Sequence, residues 1–222
     1  SGFAKVCMPE STPNQKVEAI KQWGAHVELV AGGFDYASDV AQRDQEHCFI
    51  HPFDDELVIA GNGTVGYELK DQGVDTVLVP VGGGGLLAGI ALALKEHSPH
   101  TRVIGVEAQG QAGMNYALEC GKPTALESVD TFVDGTAVAK VGQLAYDVIE
   151  KYVDDVITVS TNDVAAKVAQ MYNDGFVIEP AGALALCAAR AYGRGKTCAV
   201  VSGGNADIRR VPQVLERVPQ YL

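Results

Sequence analysis

The chain has 222 residues, 47% of them hydrophobic and 20% charged, which suits a sizeable core and excludes general disorder. With 17 Lys and Arg against 28 Asp and Glu, the net charge of −11 repels phosphate backbones and argues against nucleic-acid binding. No stretch approaches the roughly 20 apolar residues of a membrane span, and Ser1-Gly2-Phe3 does not open a signal peptide.

Val6-Cys7-Met8 reads as the end of a strand. Thr12 is the expected N-cap of a first helix, with Pro13 at its first position and Gln15 closing a capping box. Val17, Ile20 and Trp23 follow at helical spacing, and Gly24 stops the helix. His26 to Val30 alternates like a strand, Phe34 to Asp44 reads as helix, Cys48 to Ile50 as a short strand and Leu57 to Leu69 as helix. Thr76 to Val79 is β-branched and buried in character; Gly82 to Gly85 form a loop, and Leu86 to Lys95 a helix. Val103 to Val106 is strand, Gln143 to Tyr152 helix and Val156 to Val159 strand. Thr161 caps a helix carrying Val164, Val168 and Met171; Ala181 to Ala191 is a small-residue helix, and Cys198 to Val201 a last strand.

This alternation predicts an α/β fold with a doubly wound, mainly parallel sheet. The less apolar residues 1–52 are expected to form part of a smaller lobe and residues 53–222 the larger domain. Cys7, Cys48, Cys120, Cys187 and Cys198 are odd in number and form no C-x-x-C pair, so reduced core thiols in a cytoplasmic protein are expected. His47 and His51 are four apart, but the strand-like residues between them oppose a helical metal pair, and no metal site is expected.

The sharpest motif is Val79-Pro80-Val81-Gly82-Gly83-Gly84-Gly85-Leu86-Leu87, a buried strand running through four glycines into a helix. Glycines let the backbone approach an anion, and a helix N-terminus adds about half a positive charge, so the pattern makes a phosphate cradle without Lys or Arg. A tight turn would need only one or two of the four. Gly83-x-Gly85-x-x-Ala88 with Glu107 after the next strand also satisfies a loose dinucleotide fingerprint, leaving a nicotinamide cofactor open. Ser202-Gly203-Gly204-Asn205 ends a central strand, where ligands collect in open α/β sheets; the alternative for Ser202 is a strand-to-helix turn with local satisfaction. Asp134-Gly135-Thr136 and Glu179-Pro180-Ala181 belong to the same class of turns, each by itself as well explained by structure.

Together the glycine loop and the Ser-Gly-Gly-Asn strand end resemble those of the fold-type-II (tryptophan synthase β-like) pyridoxal-phosphate enzymes. More closely, the chain resembles the biosynthetic, isoleucine-pathway threonine dehydratases (threonine ammonia-lyases). The likeness includes Met8 to Pro13, Lys16 to Ala19, His51-Pro52-Phe53-Asp54-Asp55, Ala60 to Gly66, Asp134 to Val138 and Glu179 to Ala183. It implies that Gly82, Gly83, Gly84, Gly85 and Leu86 hold the phosphate of pyridoxal 5′-phosphate, Ser202 faces the pyridine nitrogen, Gly135 lines the pocket and Glu179 lies near the ring. The implied reaction is β-elimination: threonine gives 2-oxobutanoate and ammonia, and serine gives pyruvate. The implied protein is a cytoplasmic homo-oligomer acting on a small amino acid.

The departures carry expectations too. The family's Schiff-base lysine, in a Ser-x-Lys-x-Arg-Gly motif, and the Asn-His motif that follows it lie upstream of where the likeness begins. The fold is therefore expected to be incomplete, lacking that lysine segment and the C-terminal regulatory domain. The chain alone is expected to be inactive, with no catalytic residue of its own, and to self-associate through exposed sheet edges. Asn62 replaces the family's glutamine, and the metal loop of the related serine racemases looks incomplete around Gln111 and Gly113. Serine racemase or another dehydratase of this fold type remains an alternative, as does a non-catalytic fragment that binds phosphate or a partner.

Overall fold

The computed structural model describes residues 4–207, 209 and 211–218. The chain divides after His51 into two compact units.

The first unit contains β1 (Lys5–Pro9), α1 (Asn14–Gln22), β2 (His26–Val30) and α2 (Phe34–Gln42). The strands pair in parallel, Lys5 opposite His26 and Pro9 opposite Val30. Lys5 Nζ lies 2.8 Å from Asp44 and 2.9 Å from Glu28. These bonds raise the lysine above its ordinary range, and the Lys5 bond holds Asp44 below the usual carboxylate range. Thr12 is not the N-cap of α1: Pro13 is, at φ −53° and ψ 129°, and no side chain caps the helix. Pro13 keeps an extended ψ, so the helix begins one residue later than its fixed φ suggested. Cys48 to Ile50 is irregular rather than strand. Among the described residues no strand pairs with it.

The second unit contains α3 (Glu56–Leu69), β3 (Thr76–Pro80), α4 (Gly85–His97), β4 (Arg102–Ala108), α5 (Gly113–Cys120) and a 3₁₀ turn (Asp134–Thr136). It continues with α6 (Gln143–Tyr152), β5 (Asp155–Val159), α7 (Thr161–Asn173), α8 (Pro180–Tyr192), β6 (Thr197–Ala199) and α9 (Val211–Glu216). The strand order is β5-β4-β3-β6, and every pair is parallel. Each residue of β3 is buried. Side chains alternate across the sheet, so Val77 and Val79 face one core with Leu87, Ile90, Leu94 and Ile149. Leu78 faces the other, with Ile104, Val164 and Leu184. Helices thus cover both faces, which is why the strands read as continuous apolar runs.

Local chemistry sets the helix starts. Asp55 caps α3 by accepting from Leu57 N at 2.8 Å and Val58 N at 3.1 Å. Ser160, not Thr161, caps α7, accepting from Asp163 N at 3.0 Å. A Cβ on Gly89 would sit 2.3 Å from Ile59 O, and one on Gly66 would sit 2.8 Å from Ile90 O, so glycine lets α3 and α4 cross backbone to backbone. All five cysteines are free; Cys187 and Cys198 pack against the two cores and Cys7 is half-buried, but Cys48 and Cys120 are exposed, so those two are not the core thiols expected. Burial still pushes Cys187 up to about 12. No described helix is long and apolar enough to cross a membrane.

Candidate functional site

The chain leaves β3 towards β4 and β5 on one side, while β6 pairs on the other. That reversal between β3 and β6 is a topological switch point, the place where open α/β sheets bind ligands. The glycine loop follows β3, and Ser202 follows β6. Val200 N donates to Leu78 O at 2.9 Å, extending the ladder past β6 towards Ser202, so the two loops leave one sheet edge from adjacent strands.

Each of the four glycines has a packing reason. A Cβ on Gly82 would lie 2.9 Å from Thr136 Cα, one on Gly83 2.3 Å from the Phe53 ring, and one on Gly85 2.5 Å from Phe53 O. Gly84 takes φ +99°, and its Cβ would meet Met114, Ala145 and Ile149. Close packing therefore explains the glycine run, and the run length alone does not require an anion. The amides carry that argument. Gly83, Gly84 and Gly85 are buried. Among the described residues, nothing accepts a hydrogen bond from the backbone N–H of residues 82–86, although Gly83 O accepts from Gly142 N at 3.0 Å and Gly84 O from Ala88 N at 2.9 Å. Buried N–H groups are nearly always paired, so this row at the positive end of a 13-residue helix fits a phosphate.

The site's walls come from distant parts of the unit. Asp54 accepts from Gln143 N at 2.9 Å, Leu144 N at 2.8 Å and Ala145 N at 3.3 Å, so it caps α6 in place of Gly142, which has no side chain. The turn Asp134–Thr136 lies against Gly82. A Cβ on Gly135 would sit 2.8 Å from Ala181 Cβ and 3.8 Å from Glu179 Oε2. Glu179, largely buried, donates from its backbone N to Gly203 O at 3.0 Å and accepts from Asn205 N through Oε1 at 3.0 Å. It thereby clamps residues 203–205 from both sides. Gly82, Thr136, Gly135, Glu179 and Gly203 thus form a chain of close approaches leading from the glycine loop to the Ser202 corner.

Ser202 is exposed on an irregular segment, with no hydrogen-bond partner among the described residues. The segment after it does not turn directly into a helix, so the strand-to-helix explanation for this serine does not apply. A Cβ on Gly204 would meet nothing within 4 Å, so open space borders that corner. A free hydroxyl there suits a neutral heterocyclic nitrogen. Glu107 does not serve as a ribose acid. It is fully buried, and its carboxylate accepts from Met114 N at 2.7 Å, Asn115 N at 3.0 Å and Asn115 Nδ2 at 2.9 Å. Burial pushes it up to about 7 against those donors. Among the described residues no group of three His, Cys, Asp or Glu could hold a metal.

Sequence reasoning assigned no role to Phe53, Asp54, Gln111 or Thr136. The only signal for the first two is their place in the His51-to-Asp55 run, for Thr136 its place in the Asp134-to-Val138 run and for Gln111 its place where the racemases' metal loop looks incomplete; the partners of each lie far away in sequence.

A family model described as pyridoxal-phosphate dependent enzyme matches residues 4–203. The chain is 41% identical to the biosynthetic L-threonine dehydratase of Lactococcus lactis, covering 98% of this chain and 56% of that one. It is 43% identical to an L-threonine ammonia-lyase of Geobacter sulfurreducens, covering 96% and 55%. It therefore spans about half the length of the curated relatives it matches. The processed threonine deaminase isoform 2 of Solanum lycopersicum superposes with a TM-score of 0.88 at 36% identity, covering 99% of this chain and 67% of that one. Maize serine racemase superposes at 0.86 and 32%, covering 97% and 70%.

Proposed function

The chain belongs to the pyridoxal-phosphate dependent enzyme family, and from that premise we propose that it forms most of the cofactor pocket of a threonine ammonia-lyase. The observation that carries the reading is the row of buried, partnerless amides at Gly83 to Gly85, one strand away from the free hydroxyl of Ser202.

In this reading the amides of Gly82, Gly83, Gly84, Gly85 and Leu86 hold the phosphate, and the start of α4 supplies the positive potential that a chain of net charge −11 lacks globally. Ser202 offers its hydroxyl to the ring nitrogen without requiring that nitrogen to be protonated. Glu179 fixes the 203–205 backbone so that Ser202 keeps its place, and Gly135 lines the pocket. Bound pyridoxal phosphate supplies the electron sink that acidifies the Cα–H bond of the amino acid. Residues 1–52 then belong to the smaller cofactor and substrate domain and 53–222 to the larger one, in a cytoplasmic homo-oligomer. The substrate is threonine, giving 2-oxobutanoate and ammonia, with serine giving pyruvate.

The test uses the purified polypeptide that carries this chain in the cell. Threonine should yield 2-oxobutanoate, and Ser202→Ala should cut that rate at least tenfold. Serine racemisation without 2-oxobutanoate would move the assignment to the racemases, and no reaction with either amino acid would leave a binding fragment. None of the lysines in these 222 residues stands in a Ser-x-Lys-x-Arg-Gly setting. The 222-residue chain alone should therefore form no 2-oxobutanoate with threonine and added cofactor.

A further inference from the structure

Buried polar side chains are costly unless fully paired, and the second unit gathers four of them at the site's edge of the sheet: Glu107, Gln111, Thr136 and Glu179. Three have the roles described above; Gln111 has none yet. The residue is 2% exposed. Nε2 donates to Asp130 O and, at 3.1 Å, to Val133 O, and Oε1 accepts from Thr136 Oγ1 at 2.8 Å. Both N–H groups and the carbonyl are thus used on one irregular segment. The backbone of Gln111 is itself tied to the end of β4, its N donating to Ala108 O at 3.0 Å, and to the start of α5, its O accepting from Gly113 N at 2.8 Å.

The segment Gln111 holds is the one against the glycine loop: Thr136 supplies the atoms nearest to a Cβ on Gly82. We propose that Gln111 is a positioning residue of the phosphate site, acting through Thr136 to set the Asp134–Thr136 turn against Gly82 and so keep the glycine amides aligned. This rests on the phosphate reading above. An apolar residue of similar volume would fill the space but leave Asp130 O without this donor and the Thr136 hydroxyl with only Val133 O, 3.2 Å away, to donate to, while Val133 O keeps Thr136 N at 3.1 Å. Thr136→Val strands Oε1, whereas Thr136→Ser keeps the hydroxyl.

The experiment compares the wild-type chain with Gln111→Leu, Thr136→Val, Thr136→Ser and the Gln111→Leu/Thr136→Val double variant. Two aldehyde-free probes, 4-deoxypyridoxine 5′-phosphate and 4-deoxypyridoxine, differ only in the phosphate and cannot attach to lysines at random. Gln111→Leu and Thr136→Val should each weaken the phosphate-bearing probe about tenfold, by the loss of one buried polar pairing. They should leave the other probe unchanged, the double variant should be no worse than either, and Thr136→Ser should bind like wild type. Exchange of the Gly142 amide, bonded to Gly83 O, should quicken about tenfold while Val77 to Val79 stay protected. Unchanged exchange at Gly142, or a lowered melting temperature with the probe preference intact, would overturn the positioning role. A wild-type chain that does not prefer the phosphate-bearing probe would overturn the phosphate reading instead, and Gly142 exchange would still decide the role of Gln111.

Discussion

Removing the Asp54 carboxylate is the most quantitative perturbation of the site's frame. Gly142 cannot cap α6, so three otherwise orphaned amides depend on a side chain 89 residues or more away in sequence. Loss of an N-cap costs about 0.5–2 kcal/mol, and loss of a negative charge at a helix N-terminus about 0.3–1 kcal/mol. The two overlap, so Asp54→Ala should cost about 2 kcal/mol. For a domain of this size that is a fall of about 4–8 °C in melting temperature. Asp54→Asn keeps an acceptor and should recover at least half of the loss. Urea unfolding gives the stability difference, and amide exchange at residues 143–145 should quicken about thirtyfold if α6 opens locally. Because Gly142 N bonds to Gly83 O, the same variant should also loosen the glycine loop. A stability within about 0.5 kcal/mol of wild type, with exchange at 143–145 unchanged, would refute the argument that Asp54 is the working cap.

Gly84→Ala forces a side chain into φ +99° and to within 2.8 Å of Met114 Cε. It should cost about 2–4 kcal/mol from strain and overpacking together, read by urea unfolding. Glu107 carries a pKa raised by burial to about 7, so its contribution is complete below its unfolded pKa and fades as pH rises through about 7. Stability should therefore decline from pH 5 to pH 8, and Glu107→Gln should flatten that part of the profile; an identical slope in the variant would count against it. Thiol labelling followed by mass spectrometry should modify exposed Cys48 and Cys120 first and Cys187 last.

What was legible in the sequence was whatever depends on neighbours along the chain. The apolar run Thr76 to Val79 and the small-residue segment from Ala181 are local patterns, and both became the expected elements. The helix α5 was missed because its N-terminus is held by Glu107, six residues upstream, after a glycine-rich loop that reads as irregular. Local patterning points to Thr12 and Thr161 as caps, yet backbone geometry places each cap one residue away. For the site, the two loops were visible as motifs, but their adjacency depends on β3 pairing with β6 across about 120 residues. The links between them through Thr136 and Glu179 are tertiary contacts that leave no spacing signal.

One titration tests most directly whether the two loops hold one molecule. Pyridoxal phosphate is added to isotopically labelled chain, and the backbone amide resonances of Gly83 to Leu86 and of Ser202 to Gly204 are followed together. Both groups should move along one binding curve, while inorganic phosphate should shift the first group and leave the second in place. Movement of only one group, or two curves with separate midpoints, would mean that the loops do not hold one molecule between them.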